Sequence, residues 1–261
     1  MQQTDLRLVP LHSLAKRGRW RVEAMRSYAV DQLVWFTRGQ GRLTVSGITR
    51  GYGTHNVVFI PAGTMHCFEL SAQVYGTAVF FGADHGLPLP DGPRHLRIRN
   101  VQDQAEMTVI LDNLQRESEG DRPARLRAMQ HHAGLLSVWL ERQLLDHDDS
   151  LAAADAAKRL ARRYSQLVED GYHSPRSVAD YAAELGVTPT HLTRVCKESC
   201  GRTASVFLSD RKIAEARRLL ADTALPVKEI AGSLGYTSPA YFTRAFQVRT
   251  GKTPVAFRRA T

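Results

Sequence analysis

PVKEIAGSLGYTSPAYFTRAFQVRTGKTPVAF, residues 226 to 257, is a second version of SVADYAAELGVTPTHLTRVCKESCGRTASVF, residues 177 to 207. Val178 matches Val227, Ala182 matches Ala231, Leu185 matches Leu234 and Gly186 matches Gly235, all 49 positions apart. Beyond the turn the offset becomes 50, pairing Thr193 with Thr243, Arg194 with Arg244, Gly201 with Gly251, Thr203 with Thr253 and Phe207 with Phe257. Such a repeat marks a supersecondary unit used twice. Its plan is a short helix, a Gly turn, a helix opened by Ser, Thr or Pro, and a second Gly stop. Gly186 and Gly235 stand where the chain leaves the first helix, a place for positive φ. Thr188, Thr237 and Ser238 can accept the orphan N–H groups of the second helix, and Pro189 and Pro239 suit its first turn.

This is the plan of a helix-turn-helix, whose second helix lies in the DNA major groove. Helical spacing turns Leu192, Val195 and Cys196 inward in the first copy, and Phe242, Ala245 and Phe246 in the second. The outward residues are the candidate DNA contacts: Thr190, His191, Thr193, Arg194 and Lys197, then Ala240, Tyr241, Thr243, Arg244 and Gln247. An outward Arg can hold guanine O6 and N7 with two bonds, whereas Lys mainly supplies charge to phosphate. The plainer reading is that Arg194 and Arg244 pair with acidic neighbours. Their equivalence in two equivalent helices favours DNA contact.

Charge agrees with that placement. Of a net +9 over 261 residues, the chain up to Ser150 carries 17 Lys and Arg against 16 Asp and Glu. From Leu151 on it carries 18 against 10. One half is nearly neutral and the other is basic, the footprint of a chain that meets polyanion with one domain only. The basic run Lys158, Arg159, Arg162 and Arg163 reads as a solvated helix face within reach of phosphate.

Toward the N-terminus the pattern changes to strands. LVWFT (33 to 37), RLTVS (42 to 46), NVVFI (56 to 60), MHCFEL (65 to 70) and VYGTAVFF (74 to 81) are short, β-branched and aromatic, with Gly and Pro turns between them. That spacing predicts an antiparallel sandwich or barrel. After Pro88, Pro90 and Pro93, one helical face carries Met107, Ile110, Leu111 and Leu114, and another Met129, Ala133, Leu136, Leu140 and Leu144. Those stripes either cap the β-domain or pair with a second copy. The fold class expected is α+β: a barrel with helices over 1–100 and 101–147, a linker over 148–154, and an all-α tandem helix-turn-helix domain over 155–261.

RKIAEARRLL (211 to 220) followed by LPVKEIAGSLGYTSPAYFTRAFQVRTGKTPVAFRR (225 to 259) resembles the signature of the AraC/XylS transcription regulators. Its strongest elements are Ile230, Ala231, Gly235, Tyr236, Phe242, Arg244, Phe246, Gly251, Pro254 and Phe257. Departures are Cys196 where Phe is usual, Phe257 for Tyr, and Ala240 at a position that often carries a polar group. The resemblance implies two helix-turn-helix units joined by a long helix, entering successive major grooves about 10 bp apart. It also implies promoter DNA and RNA polymerase as partners and, as the function, a transcription regulator that activates.

GYGTHNVVFIPAGTMHCFEL (51 to 70) resembles a conserved segment of cupin barrels, with Pro61, Gly63 and His66 in place. The stretch where the other metal ligands of a cupin enzyme belong, GQGRLTVSG (39 to 47), has no His, Glu or Asp. One imidazole does not hold a catalytic metal, so His66 is expected to be a hydrogen-bonded histidine of the pocket or core. No metal, cofactor or enzyme activity is expected, the alternative being a cupin-type metalloenzyme with an appended DNA-binding domain. A barrel without its metal suits a small-molecule effector, with Tyr28, Trp35, Arg38 and His66 as candidate contacts. A homodimer is a further expectation. Three cysteines, with no apolar run of membrane length, predict a reduced, cytoplasmic protein that does not span a membrane.

Overall fold

A computed structural model describes residues 6–14, 20–146 and 155–260. The linker expected over 148–154 lies outside the described residues. The first part runs β1 (Arg7–Pro10), α1 (Leu11–Leu14), α2 (Trp20–Glu23), β2 (Gln32–Arg38), β3 (Gly41–Val45), β4 (Ile48–Tyr52), β5 (Asn56–Ile60), β6 (His66–Phe68), β7 (Tyr75–Phe80) and β8 (Arg94–Arg97). Helices α3 (Val101–Glu119) and α4 (Arg125–Asp146) follow. The remainder is α5 (Ala156–Gly171), α6 (Val178–Glu184), α7 (Pro189–Cys200), α8 (Ala204–Asp222), α9 (Val227–Ser233), α10 (Pro239–Thr250) and α11 (Pro254–Arg259).

The strands make two antiparallel sheets, ordered β1-β7-β2-β5-β8 and β4-β3-β6. Among the described residues no strand pair joins the two, so the expected closed barrel is replaced by an open sandwich. β2 explains why the sheets stack in layers. Its run of apolar residues is buried on both faces: Leu33 and Trp35 point to one side, Val34 and Phe36 to the other. The Leu33 side, continued by Val57, Phe59 and Val79, packs under Met107, Leu114, Leu136 and Trp139 of α3 and α4. The Val34 side meets Leu43, Val45 and Phe68 of the smaller sheet.

The smaller sheet also faces two ways. Phe68 points into the sandwich, while Cys67 and Met65, with Met25, join Tyr164, Tyr181, Leu192, Cys196 and Phe207 in one core. The β-domain and the first helix-turn-helix unit therefore share buried apolar surface. Gly47, at the tip of the β3–β4 hairpin, comes so close to α5 that a Cβ there would lie 3.0 Å from Ala161 O. The second unit has its own core of Ile213, Leu220, Ile230, Leu234, Phe242 and Phe246.

His66 is fully buried, as a satisfied neutral ring. Gln32 Nε2 donates to its Nε2 at 2.7 Å, and its Nδ1 donates to Thr64 O at 2.9 Å. Burial first, then the Arg26 charge, push its pKa down to about 3. A folded-state value below the unfolded one near 6.5 means stability present at neutral pH and lost as pH falls through that window. Acid denaturation between about pH 6 and 4 is therefore expected to be less steep in His66→Gln, by up to about 1.4 kcal/mol per pH unit. Urea melts at stepped pH check this, and parallel slopes would refute it.

Candidate nucleic-acid interface

Each unit builds its reading helix from the same local devices. Gly186 (φ 71°) and Gly235 (φ 70°) both take the left-handed conformation. Val187 N–H then donates to Ala182 O, and Tyr236 N–H to Ala231 O, each at 3.0 Å, the six-to-one bond of a Schellman stop. Thr188 Oγ1 and Ser238 Oγ cap α7 and α10, accepting from His191 N and Tyr241 N, and Pro189 and Pro239 take the first positions. Gly201 (φ 70°) and Gly251 (φ 71°) end the two helices alike. Inward, Leu192, Val195, Cys196, Phe242 and Phe246 are buried, while Ala245 is half-buried.

On the outer face of α7, Thr190, Arg194 and Lys197 are exposed, with His191 and Thr193 half-buried beside them. Arg194 meets Glu198 four residues on, its Nη1 donating to Oε1 at 2.9 Å, and its Nη2 lies 3.1 Å from His191 Nδ1. The acidic pairing set against DNA contact in the sequence therefore exists. Both side chains are more than half exposed, and such a pair contributes about 0.3–0.5 kcal/mol, so a phosphate or guanine can displace it. On α10, Ala240, Tyr241, Arg244 and Gln247 are exposed, and Thr243 is half-buried with its hydroxyl donating to Pro239 O at 2.9 Å. Arg244 makes no ion pair among the described residues. Val248, 79% exposed on the same helix, escaped the sequence reading, although its place four after Arg244 marks it; it can meet a thymine methyl.

The four effector candidates do not come together. Tyr28 and His66 are neighbours, their rings 5.5 Å apart. Trp35 is instead buried beneath α4, edge-on to Trp139 at 6.3 Å. Arg38 is exposed at the end of β2, over Tyr75. Strand alternation is the reason, because it sends Trp35 to the sheet face away from the sandwich interior.

A different cavity has the character of a ligand site. About 440 Å³ lies between the β-domain and α8, with Tyr28, Arg26, Arg7 and Arg21 on one wall and Arg211, Glu215 and Arg218 on the other. Five arginines line it against two carboxylates. Arg211 pairs with Glu169 and Glu215, Arg218 with Glu215 and Arg21 with Asp222, although Arg21 Nε is buried without a partner among the described residues. Arg26 makes no ion pair among the described residues, and two of its nitrogens, Nε and Nη1, are buried with no hydrogen-bond partner there. Its guanidinium lies 5.3 Å from the Tyr28 ring centre, and burial holds its pKa below the usual value.

A family model described as a helix-turn-helix domain matches residues 181–260. Those residues are a helix-turn-helix domain. The domain is similar to an uncharacterized HTH-type transcriptional regulator, YfiF, of Bacillus subtilis strain 168, 35% identical over 35% of this chain and 29% of that one. It is also similar to the arabinose operon regulatory protein of Salmonella typhimurium, 28% identical over 48% of this chain and 44% of that one. The chain thus spans less than half the length of either relative. Among solved structures, the C-terminal domain of AraT, a response regulator from Geobacillus stearothermophilus, is 29% identical over 41% of this chain and 89% of that one, with a TM-score of 0.39. ToxT from Vibrio cholerae O395 covers 99% of this chain and 98% of its own at 12% identity, with a TM-score of 0.43. The helix-turn-helix domain is where likeness to known regulators is concentrated. Among the described residues, no group of three His, Cys, Asp or Glu side chains gathers as a metal site, and no helix is long and apolar enough to cross a membrane.

Proposed function

We propose that this protein is a transcription regulator of the AraC/XylS type, reading promoter DNA with α7 and α10 in successive major grooves and acting on RNA polymerase as an activator. One observation carries the reading: two equivalent helices, placed by equivalent turns and caps, expose an arginine at the same position. Their arginines supply bidentate guanine contacts worth about 1–3 kcal/mol each, and the basic C-terminal half supplies phosphate affinity. The duplexes that wild type enriches from a random pool are the substrate for the test. Arg194→Ala and Arg244→Ala are each expected to bind them about 5- to 150-fold more weakly, while non-specific binding changes little. Titrations in which both variants match wild type would refute the assignment.

The effector belongs, in this reading, to the cavity between the β-domain and α8 rather than to the sandwich interior. A buried guanidinium without a counter-ion is costly, and an organic anion entering the cavity relieves that cost. Tyr28 stays an effector contact, and His66 supports it from behind. Small carboxylates and phosphate monoesters of cavity size are expected to raise the melting temperature of wild type and to leave Arg26→Met unmoved. Equal shifts in both proteins would remove Arg26 from the site.

A further inference from the structure

The two helix-turn-helix units have separate cores, and α8 passes from one to the other. Its first turns give Ala204, Phe207 and Leu208 to the core of the first unit; its later turns give Ile213, Ala216 and Leu220 to that of the second. Asp210 stands at the crossover. On the side of α8 that carries Lys212, the units meet directly: Gly235 sits against the backbone of Ser174 and Pro175, and Lys212 Nζ donates to Ser174 O at 2.9 Å. Two residues away along a helix is about 200° around it, so Asp210 works on the opposite side.

There one carboxylate holds the far ends of both reading helices. Arg202 follows Gly201, the stop of α7, and its Nη1 donates to Asp210 Oδ2 at 3.0 Å. Arg249 lies in the last turn of α10, and its Nη1 is 3.0 Å from Asp210 Oδ1. Arg217, two turns further along α8, adds a second hold by donating from Nη2 to Arg249 O at 3.4 Å. The three charged side chains are 20% to 32% exposed, so solvent screens them less than it screens an ordinary surface pair.

We infer that Asp210 is a specificity-determining residue that fixes the separation between the two reading helices, and so the half-site spacing this protein accepts. The inference rests on the DNA-binding reading above. The Ser174–Gly235 contact serves as a pivot on one side of α8, and Asp210 as the stay on the other. Lever arithmetic shows why one carboxylate suffices. Thr190 and Ala240 open helices whose pinned ends are about ten residues away, roughly 15 Å at 1.5 Å per residue. A tilt of about 10° at the pinned end moves the reading residues by about 2.6 Å, close to the ~3.4 Å between successive bases.

The test uses Asp210→Asn, which keeps shape and loses charge, with Asp210→Glu as the rescue. In the DNA-free full chain, nitroxides carried by a keto amino acid at positions 190 and 240 give a distance distribution by pulsed dipolar spectroscopy. Wild type and Asp210→Glu are expected to give one narrow peak, and Asp210→Asn a peak about twice as wide or shifted by about 2–3 Å, as the lever requires. Unchanged width and position in Asp210→Asn would overturn the stay.

On DNA, the probes are the enriched duplex, the same duplex with one base pair added between half-sites, and a single half-site. Wild type is expected to lose about 10-fold or more on the lengthened duplex, roughly 1.4 kcal/mol. Asp210→Asn is expected to lose less than about threefold there and to bind the single half-site like wild type. A variant that keeps the full spacing penalty overturns the specificity role, even with a widened peak. Should wild type enrich no duplex, the DNA-binding reading and the spacing role fail together, and the nitroxide distances still decide whether the stay exists. Arg249→Gln removes one arm of the same clamp and replaces Asp210→Asn if that variant does not fold.

Discussion

Gly235→Ala is expected to unfold the second helix-turn-helix unit, while the equivalent Gly186→Ala costs about 1–2 kcal/mol, the ordinary charge for an L-residue in the left-handed region. The two glycines share sequence context and backbone angles, φ 70° and 71°. Their surroundings differ. A Cβ on Gly186 meets nothing within 4 Å, whereas a Cβ on Gly235 overlaps the carbonyl carbon and oxygen of Ser174 and lies 2.7 Å from Pro175 N. Those atoms are backbone, and Ser174 O is already engaged by Lys212, so there is no flexible end to move. Strain and collision together exceed about 4 kcal/mol, enough to melt a unit of this size. Urea titration followed at Trp20, which packs on Phe257 in the second core, should show an early transition in Gly235→Ala alone. Equal midpoints for the two variants would contradict the packing.

Glu169→Ala is the second large effect. Glu169 accepts from Arg211 Nε at 2.7 Å and Nη2 at 3.0 Å, and Ser27 Oγ donates to the same carboxylate at 2.6 Å. It thus ties α5, α8 and the β-domain at one point. The Arg211 side chain is 4% exposed, with its guanidinium 3.8 Å from the Tyr172 ring centre. Removing Glu169 leaves that charge with Glu215 alone, at an expected loss of about 3–5 kcal/mol. Adding Arg211→Met should return much of it, because burying neither charge avoids the desolvation cost. A single variant within about 1 kcal/mol of wild type would mean the pair is solvated rather than buried.

The reading helices were legible in the sequence because caps and glycine stops are local: Thr188, Pro189, Gly201, Ser238, Pro239 and Gly251 all take the roles their types imply. The β-domain was legible where strands are buried on both faces, as β2 and β5 are. β1 and β8 are sheet-edge strands with few buried residues, and β4 lies between two glycine turns, so their periodicity is weak. The barrel was implied by the cupin-like segment 51 to 70, whereas turn spacing allows a sandwich as well as a barrel and does not report how the last strands pair. The effector candidates are dispersed because strand alternation turns Trp35 under α4, away from Tyr28 and His66, which residue type alone does not report. Arg26 and Asp210 carry no sequence signal, since Asp210 matters through Arg202 and Arg249, 8 and 39 positions away, and Arg26 through buried nitrogens that find no partner among the described residues. The shared core of Cys67, Met65 and the first unit is likewise invisible to composition, which separates the halves by charge.

Guanine N7 methylation interference on the enriched duplex tests the two-helix reading most directly. Two clusters of interfering guanines about 10 bp apart on one face are expected, one vanishing in Arg194→Ala and the other in Arg244→Ala. A single cluster, or two clusters that neither substitution alters, would contradict it.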